Sequence, residues 1–261
     1  MKTLQILILV AFLTVFTACT KKHYEEKGFH LTPDNTDEGL SEETDGTKAS
    51  QKPRTRPGGV ILTGIADYRL VPVYKINYDK RSKEYYTGSN IWHYSYSEED
   101  IAAGNAWHYH FMPGLEAVYG YNVLNLSLYN IKTKIKKPLF KSHVLIKTIY
   151  YPSYLQDTLN GIAVVRDYWL VSVYDEDTNG DSSINTTDLR RLYHFDLEGK
   201  SKNPLIPLNY SVISSEYDPA NDLMYVYAQC DMNSNGEKEV FEKIHVFWID
   251  LKNPLLNGRI Y

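Results

Sequence analysis

The sequence is poor in cysteine, has no excess of positive charge and carries only one long apolar run. Cys19 and Cys230 are the only cysteines in 261 residues. That is too few for a disulfide framework or a cysteine-rich zinc site. The formal net charge is −4, from 28 Lys and Arg against 32 Asp and Glu. Such a balance lacks the basic field on which nucleic-acid binding depends, so nucleic acid is not expected as a partner. Also missing are a nucleophile elbow, a phosphate-cradling glycine loop and a zinc-protease motif.

The one apolar run, Leu4 to Phe16, is short for a bilayer span but long enough for the core of a signal peptide. Lys2 precedes it, and Thr17-Ala18-Cys19 follows. Two small residues directly before a cysteine read as a lipobox: the peptidase needs small side chains at its cleft, and the thiol receives a diacylglycerol. The expected organisation is a lipoprotein signal peptide over 1–18, a lipidated tether over 19–57 and a folded domain over 58–261. Lipid on Cys19 would make the membrane a partner and place the chain in the cell envelope, at the outer membrane. Cleavage before Cys19 removes one Lys and no acid, moving the net charge from −4 to −5. Thr20 to Pro57 is rich in Lys, Glu, Asp, Thr, Gly and Pro and nearly free of aliphatic residues. Too little apolar surface can be buried there to offset the entropy of ordering, which predicts a flexible tether.

The remainder is loaded with tyrosine, 23 in the chain, a residue suited to half-buried strands. In Leu223 to Cys230, Met224, Val226, Ala228 and Cys230 fall on one face of a predicted strand. Cys230 then reads as a small buried hydrophobe. An internal repeat organises the domain. Asp167-Tyr-Trp-Leu-Val-Ser-Val-Tyr aligns without gaps on Asn221-Asp-Leu-Met-Tyr-Val-Tyr-Ala, and Asp177 meets Asp231 at an offset of 54. A third, partial copy matches Leu126–Lys134 to Leu192–Lys200, continuing to Pro138 and Pro204. Turns are predicted at Pro113-Gly114, Arg166-Asp167 and Asp218 to Asp222. Repeats of about 50 residues, each with several short strands, predict an all-β, propeller-like array of three to four blade-like antiparallel units. A β-sandwich is the alternative.

Two connections inside these units carry the chain's strongest chemical motif. Asp177, Asn179, Asp181 and Asp188 place oxygen side chains at positions 1, 3, 5 and 12 of a twelve-residue loop, with the Ser183 carbonyl at position 7 and Asn185 at position 9. Calcium takes about six to eight oxygens, and this spacing wraps one chain segment around the ion. Ile184 supplies an apolar anchor at position 8, but Ser182 stands at position 6, where an EF-hand loop has glycine. The second loop offers Asp231, Asn233, Asn235, Glu237 and Glu242, with Gly236 at position 6 and Lys238 at position 8. At positions 1, 3, 5 and 12 it has two formal negative charges against three in the first, and so is expected to bind calcium more weakly unless Glu239 joins.

Asp-Thr-Asn-Gly-Asp-Ser-Ser-Ile-Asn-Thr-Thr-Asp-Leu resembles a dockerin loop. A helix follows such loops in dockerins, whereas strand-like sequence follows Asp188 here, and dockerins space their two loops more closely. The loop is retained and the module rejected. Lipobox, polar tether and blade-like repeats with EF-hand-like loops together resemble β-propeller lipoproteins of the Bacteroidota cell envelope. That resemblance implies an envelope location, calcium, and binding or scaffolding, and it lends the chain no active site.

Weaker constellations lie at His93, His108 and His110, residue types that can hold a transition metal, and at Trp92, Trp107, Tyr94, Tyr96 and Tyr109, residue types on which a sugar can stack. Ordinary polar and packing roles on an aromatic strand are the simpler expectation for both. Glu98-Glu99-Asp100 reads as the start of a short helix. The leading functional expectation is a non-enzymatic, calcium-stabilised module that binds a protein or glycan. The alternative, a glycan-active hydrolase or lyase, needs paired acids, or an acid with histidines, converging in one pocket.

Overall fold

The computed structural model describes residues 28–31, 53–79, 84–87, 90–91 and 112–261. Cys19, the three strand histidines, the aromatic platform and the expected short helix lie outside them. The described residues are all-β, with no helix among them. The first strands are β1 (Phe29–His30), β2 (Thr55–Pro57), β3 (Ile61–Leu62), β4 (Tyr68–Asp79), β5 (Glu84–Thr87) and β6 (Asn90–Ile91). Next come β7 (Leu115–Asn130), β8 (Lys136–Pro138), β9 (Leu145–Pro152), β10 (Asp157–Leu159), β11 (Ile162–Val164) and β12 (Tyr168–Tyr174). The last are β13 (Ser183–Ile184), β14 (Arg191–Asp196), β15 (Lys202–Pro204), β16 (Tyr210–Asp218), β17 (Leu223–Cys230), β18 (Ile244–Asp250) and β19 (Asn257–Arg259).

Two four-stranded antiparallel meanders repeat the same plan. One is β9-β12-β14-β15 and the other β16-β17-β18-β19. The first continues through β7 into β4 and β2, forming an eleven-stranded sheet. β7 makes the transition. Its beginning pairs with β9 and its end with β4 and β8, with a register shift between Tyr119 and Val123. Asn122 lies inside that shift at φ 61°, in the left-handed region that asparagine tolerates better than most residues.

Packing sets the layers. Leu70, Leu126 and Leu128 meet Ile149, Trp169, Val171 and Phe195 in one core. Tyr150, Leu170 and Leu192, from the opposite side of the same middle strands, meet Val212, Met224, Val226, Phe247 and Ile249 in a second. β9 and β12 are therefore buried along their whole length. Burial on both faces explains why these strands read as near-continuous apolar runs. In β17, Met224, Val226 and Ala228 are buried while Leu223, Tyr225 and Tyr227 are only half-buried, because one face of the last sheet has no covering layer among the described residues.

The structure corrects the repeat by one residue. Tyr168 pairs with Asp196, and Leu223 pairs with Asp250. The returning strands thus repeat at 54, but the strands entering the loops repeat at 55. One extra residue, within Asp175-Glu176, precedes the first loop. Trp169, Val171 and Val173 are the true counterparts of Met224, Val226 and Ala228, each set facing the preceding unit. The ungapped alignment matched Leu170 to Met224, and a one-residue slip transfers every side chain to the wrong face. The partial third copy holds in register: Ser127 pairs with Pro138 and Tyr193 with Pro204. Two other expectations shift. The partner entering β12 is β9, while β11 closes a separate hairpin with β10. The fold also begins before Gly58, since Thr55–Pro57 pairs with β4.

One buried ion pair joins the middle unit to the last. Arg166 Nη2 donates to both Asp222 carboxylate oxygens at 2.8 and 3.0 Å. Its Nη1 donates to the Leu251 carbonyl at 2.6 Å and its Nε to the Pro113 carbonyl at 3.2 Å. Tyr168 donates its hydroxyl to the same Leu251 carbonyl at 2.7 Å. Both charged side chains are almost wholly buried, at 2% and 1% exposure. Removing one partner of such a pair strands the other charge, a loss of about 3–5 kcal/mol. Arg166→Ala is expected to cost that much in denaturant unfolding, whereas Arg166→Met with Asp222→Leu should cost clearly less than the two single changes summed; strict additivity would contradict this coupling.

Candidate metal centre

The two twelve-residue loops occupy equivalent places, the first between β12 and β14 and the second between β17 and β18. Their backbones are organised alike despite different sequences. In the first, Asp177 accepts hydrogen bonds from the amides of Asp181 at 3.1 Å and Ser182 at 2.8 Å. Asn179 Oδ1 accepts from the Asp181 amide, and Asp181 Oδ1 from the Ser183 amide. In the second, Asp231 accepts from the amides of Asn235 at 3.1 Å and Gly236 at 3.0 Å. There Asn233 Oδ1 accepts from the Asn235 amide, and Asn235 Oδ1 from the Glu237 amide.

The twelfth residues close both loops in the same way. Asp188 accepts from the amides of Thr178 and Asn185, each at 2.8 Å. Glu242 accepts from the amides of Met232 at 2.8 Å and Glu239 at 3.2 Å. Loop positions 1 and 12 are thereby fixed against the loop's own peptide groups. Glycine placement is explained too. Positions 4 and 6 have positive φ in both loops, in Gly180 (74°) and Ser182 (63°), and in Ser234 (58°) and Gly236 (75°). Glycine occupies one such position in each loop and serine bears the other, which accounts for the displaced glycine of the first loop.

Sequence separation concealed the most consequential feature: the loops touch. Thr178 donates its hydroxyl to the Gly236 carbonyl at 2.6 Å, and Asn179 Nδ2 donates to Glu237 Oε1 at 3.0 Å. A Cβ added to Gly236 would lie 1.9 Å from the Thr178 carbonyl oxygen, so glycine at position 6 of the second loop also permits this approach. Glu237 therefore leans on the first loop, and Glu239 Oε2 accepts from Asn233 Nδ2 at 2.6 Å.

Electrostatics distinguish these carboxylates from the others. Asp188, Asp231 and Glu242 are 0%, 8% and 5% exposed. Unlike Asp222, they form no ion pair with Lys or Arg among the described residues. Burial pushes the Asp188 carboxyl above its ordinary range, opposed by hydrogen bonds from Asn185, Thr178 and Asn179. Buried charges are stable when paired or metal-bound. No three His, Cys, Asp or Glu side chains cluster as ligands among the described residues. The potential donors of each loop are carboxylates mixed with Asn amide and backbone carbonyl oxygens. That all-oxygen set fits a hard divalent cation and offers little to zinc or copper.

Asp177, Asn179, Asp181, Ser183 and Asp188 are thus gathered in one loop, and Asp231, Asn233, Asn235, Glu237 and Glu242 in its neighbour. Cys230, expected to be buried, is half-buried, with its sulfur 3.8 Å from Asn209 Nδ2. Comparison with family models and with curated proteins finds no match to this chain.

Proposed function

We propose that the chain is a calcium-stabilised lipoprotein of the cell envelope. Lipid on Cys19 holds it to the outer membrane, and its β-domain serves as a non-enzymatic binding or scaffolding module for a protein or glycan. The observation that carries the calcium reading is the set of buried carboxylates, Asp188, Asp231 and Glu242, with no cationic side chain paired to them among the described residues. Calcium would be held by Asp177, Asn179, Asp181, the Ser183 carbonyl and Asp188 in the first loop. The second would use Asp231, Asn233, Asn235, the Glu237 carbonyl and Glu242. The ion's role is structural: it supplies the missing positive charge where each loop returns to its sheet. Support for the envelope reading comes from Thr17-Ala18-Cys19 after the apolar run.

A ligand that binds only the native state stabilises it by RT ln(1 + [L]/Kd), roughly 2.7 kcal/mol at 100-fold excess over Kd. For a domain of this size that corresponds to roughly 5–10 °C in Tm. Chelator should lower the Tm of the mature protein by that amount relative to millimolar calcium. Asp188→Asn should remove most of the calcium-dependent part, and Glu242→Gln less of it; identical melting with and without calcium would refute the calcium reading. Separately, Cys19→Ser should abolish metabolic labelling with a palmitate analogue, and retained label would refute the anchor.

A further inference from the structure

Part of the segment expected to be flexible is docked on the first loop. Phe29 and His30 form an antiparallel pairing with Ile184 and Ser183, and the Leu31 amide donates to the Ser182 carbonyl at 2.9 Å. Those three partners are positions 6 to 8 of the loop. Phe29 is 8% exposed, in a cluster with Leu124, Leu145, Tyr174 and Ile184, and its ring meets His143 edge-on at 6.4 Å. His30 Nδ1 lies 2.7 Å from Ser183 Oγ, and Lys75 Nζ donates to the Gly28 carbonyl at 2.5 Å. Gly28 has φ 62°, and a Cβ there would stand 1.9 Å from the Ile184 carbonyl oxygen. Only glycine allows so close an approach at that backbone angle.

We propose that Gly28–Leu31 is a latch through which calcium in the first loop sets how far the β-domain stands from the membrane. The inference rests on the reading of that loop as a calcium site and of Cys19 as the anchor. Docked, the latch at Gly28 lies nine residue steps from Cys19; released, thirty-five steps join Cys19 to Arg54, whose carbonyl accepts from the Ile76 amide at the edge of the sheet. At no more than about 3.5 Å per residue, these lengths reach about 30 Å and about 120 Å. The latch binds the loop through backbone groups that the ion would hold in place. Ordering of either therefore favours the other, and the coupling is reciprocal. Ile184, at position 8, joins the two: it belongs to the calcium loop and forms one wall of the Phe29 cluster.

Amide hydrogen exchange on the mature lipoprotein in detergent tests the latch at Leu31. In millimolar calcium this amide should be protected, and in chelator it should exchange at least tenfold faster. Phe29→Ala should give fast exchange in both conditions and weaken calcium binding at the first loop severalfold. Gly28→Ala should act in the same direction without emptying the apolar cluster. Fast exchange at Leu31 in wild-type protein with calcium would overturn the latch whatever calcium does to Tm. Protection unchanged by chelator, while Tm still responds to calcium, would overturn the coupling but leave the calcium site standing. If neither exchange nor Tm responds, the calcium reading fails and the coupling fails with it.

Discussion

A buried carboxylate needs a partner, and at Asp188, Asp231 and Glu242 the described partners are uncharged: peptide amides, with the Thr178 hydroxyl added at Asp188. Asp222 shows the alternative in the same molecule, where burial is matched by the Arg166 guanidinium at 2.8 Å. The three loop carboxylates sit where each loop begins or returns to its sheet, so their neutralisation bears on the loops, on the contact between loops and on whatever docks there. Amide hydrogen bonds stabilise an ionised carboxylate, yet burial still raises the Asp188 carboxyl above its ordinary range. A cation would remove that conflict.

The two loops meet because two blade-like units stack. Burial of β9 and β12 on both faces brings the last sheet against the middle one. The Arg166–Asp222 pair, with the Leu251 carbonyl between Arg166 and Tyr168, locks the same interface. Equivalent loops on adjacent units then lie side by side, and Thr178 reaches Gly236. The loop contact is thus a consequence of blade packing.

Much of this was legible in the sequence. Tyrosine-rich alternating segments read as strands, and the repeat located β12 and β14 and, one unit on, β17 and β18. Oxygen residues at fixed spacing marked both loops. The extra residue before Asp177 was not legible, because β12 is apolar on both faces and its sequence carries no alternation to reveal a slip. Contact between the loops escaped because 54 residues of separation conveys nothing about spatial stacking. Docking of Phe29 escaped because one phenylalanine in a polar segment cannot show a period, and its pocket is assembled from Leu124, Leu145, Tyr174 and Ile184, which are scattered along the chain.

Direct calcium titration of the mature protein, by calorimetry after chelator treatment, tests the central claim most directly. Two ions per chain are expected, the tighter one lost in Asp188→Asn. No heat and no bound calcium at millimolar concentration would contradict it, leaving both loops as turns held by their own amides.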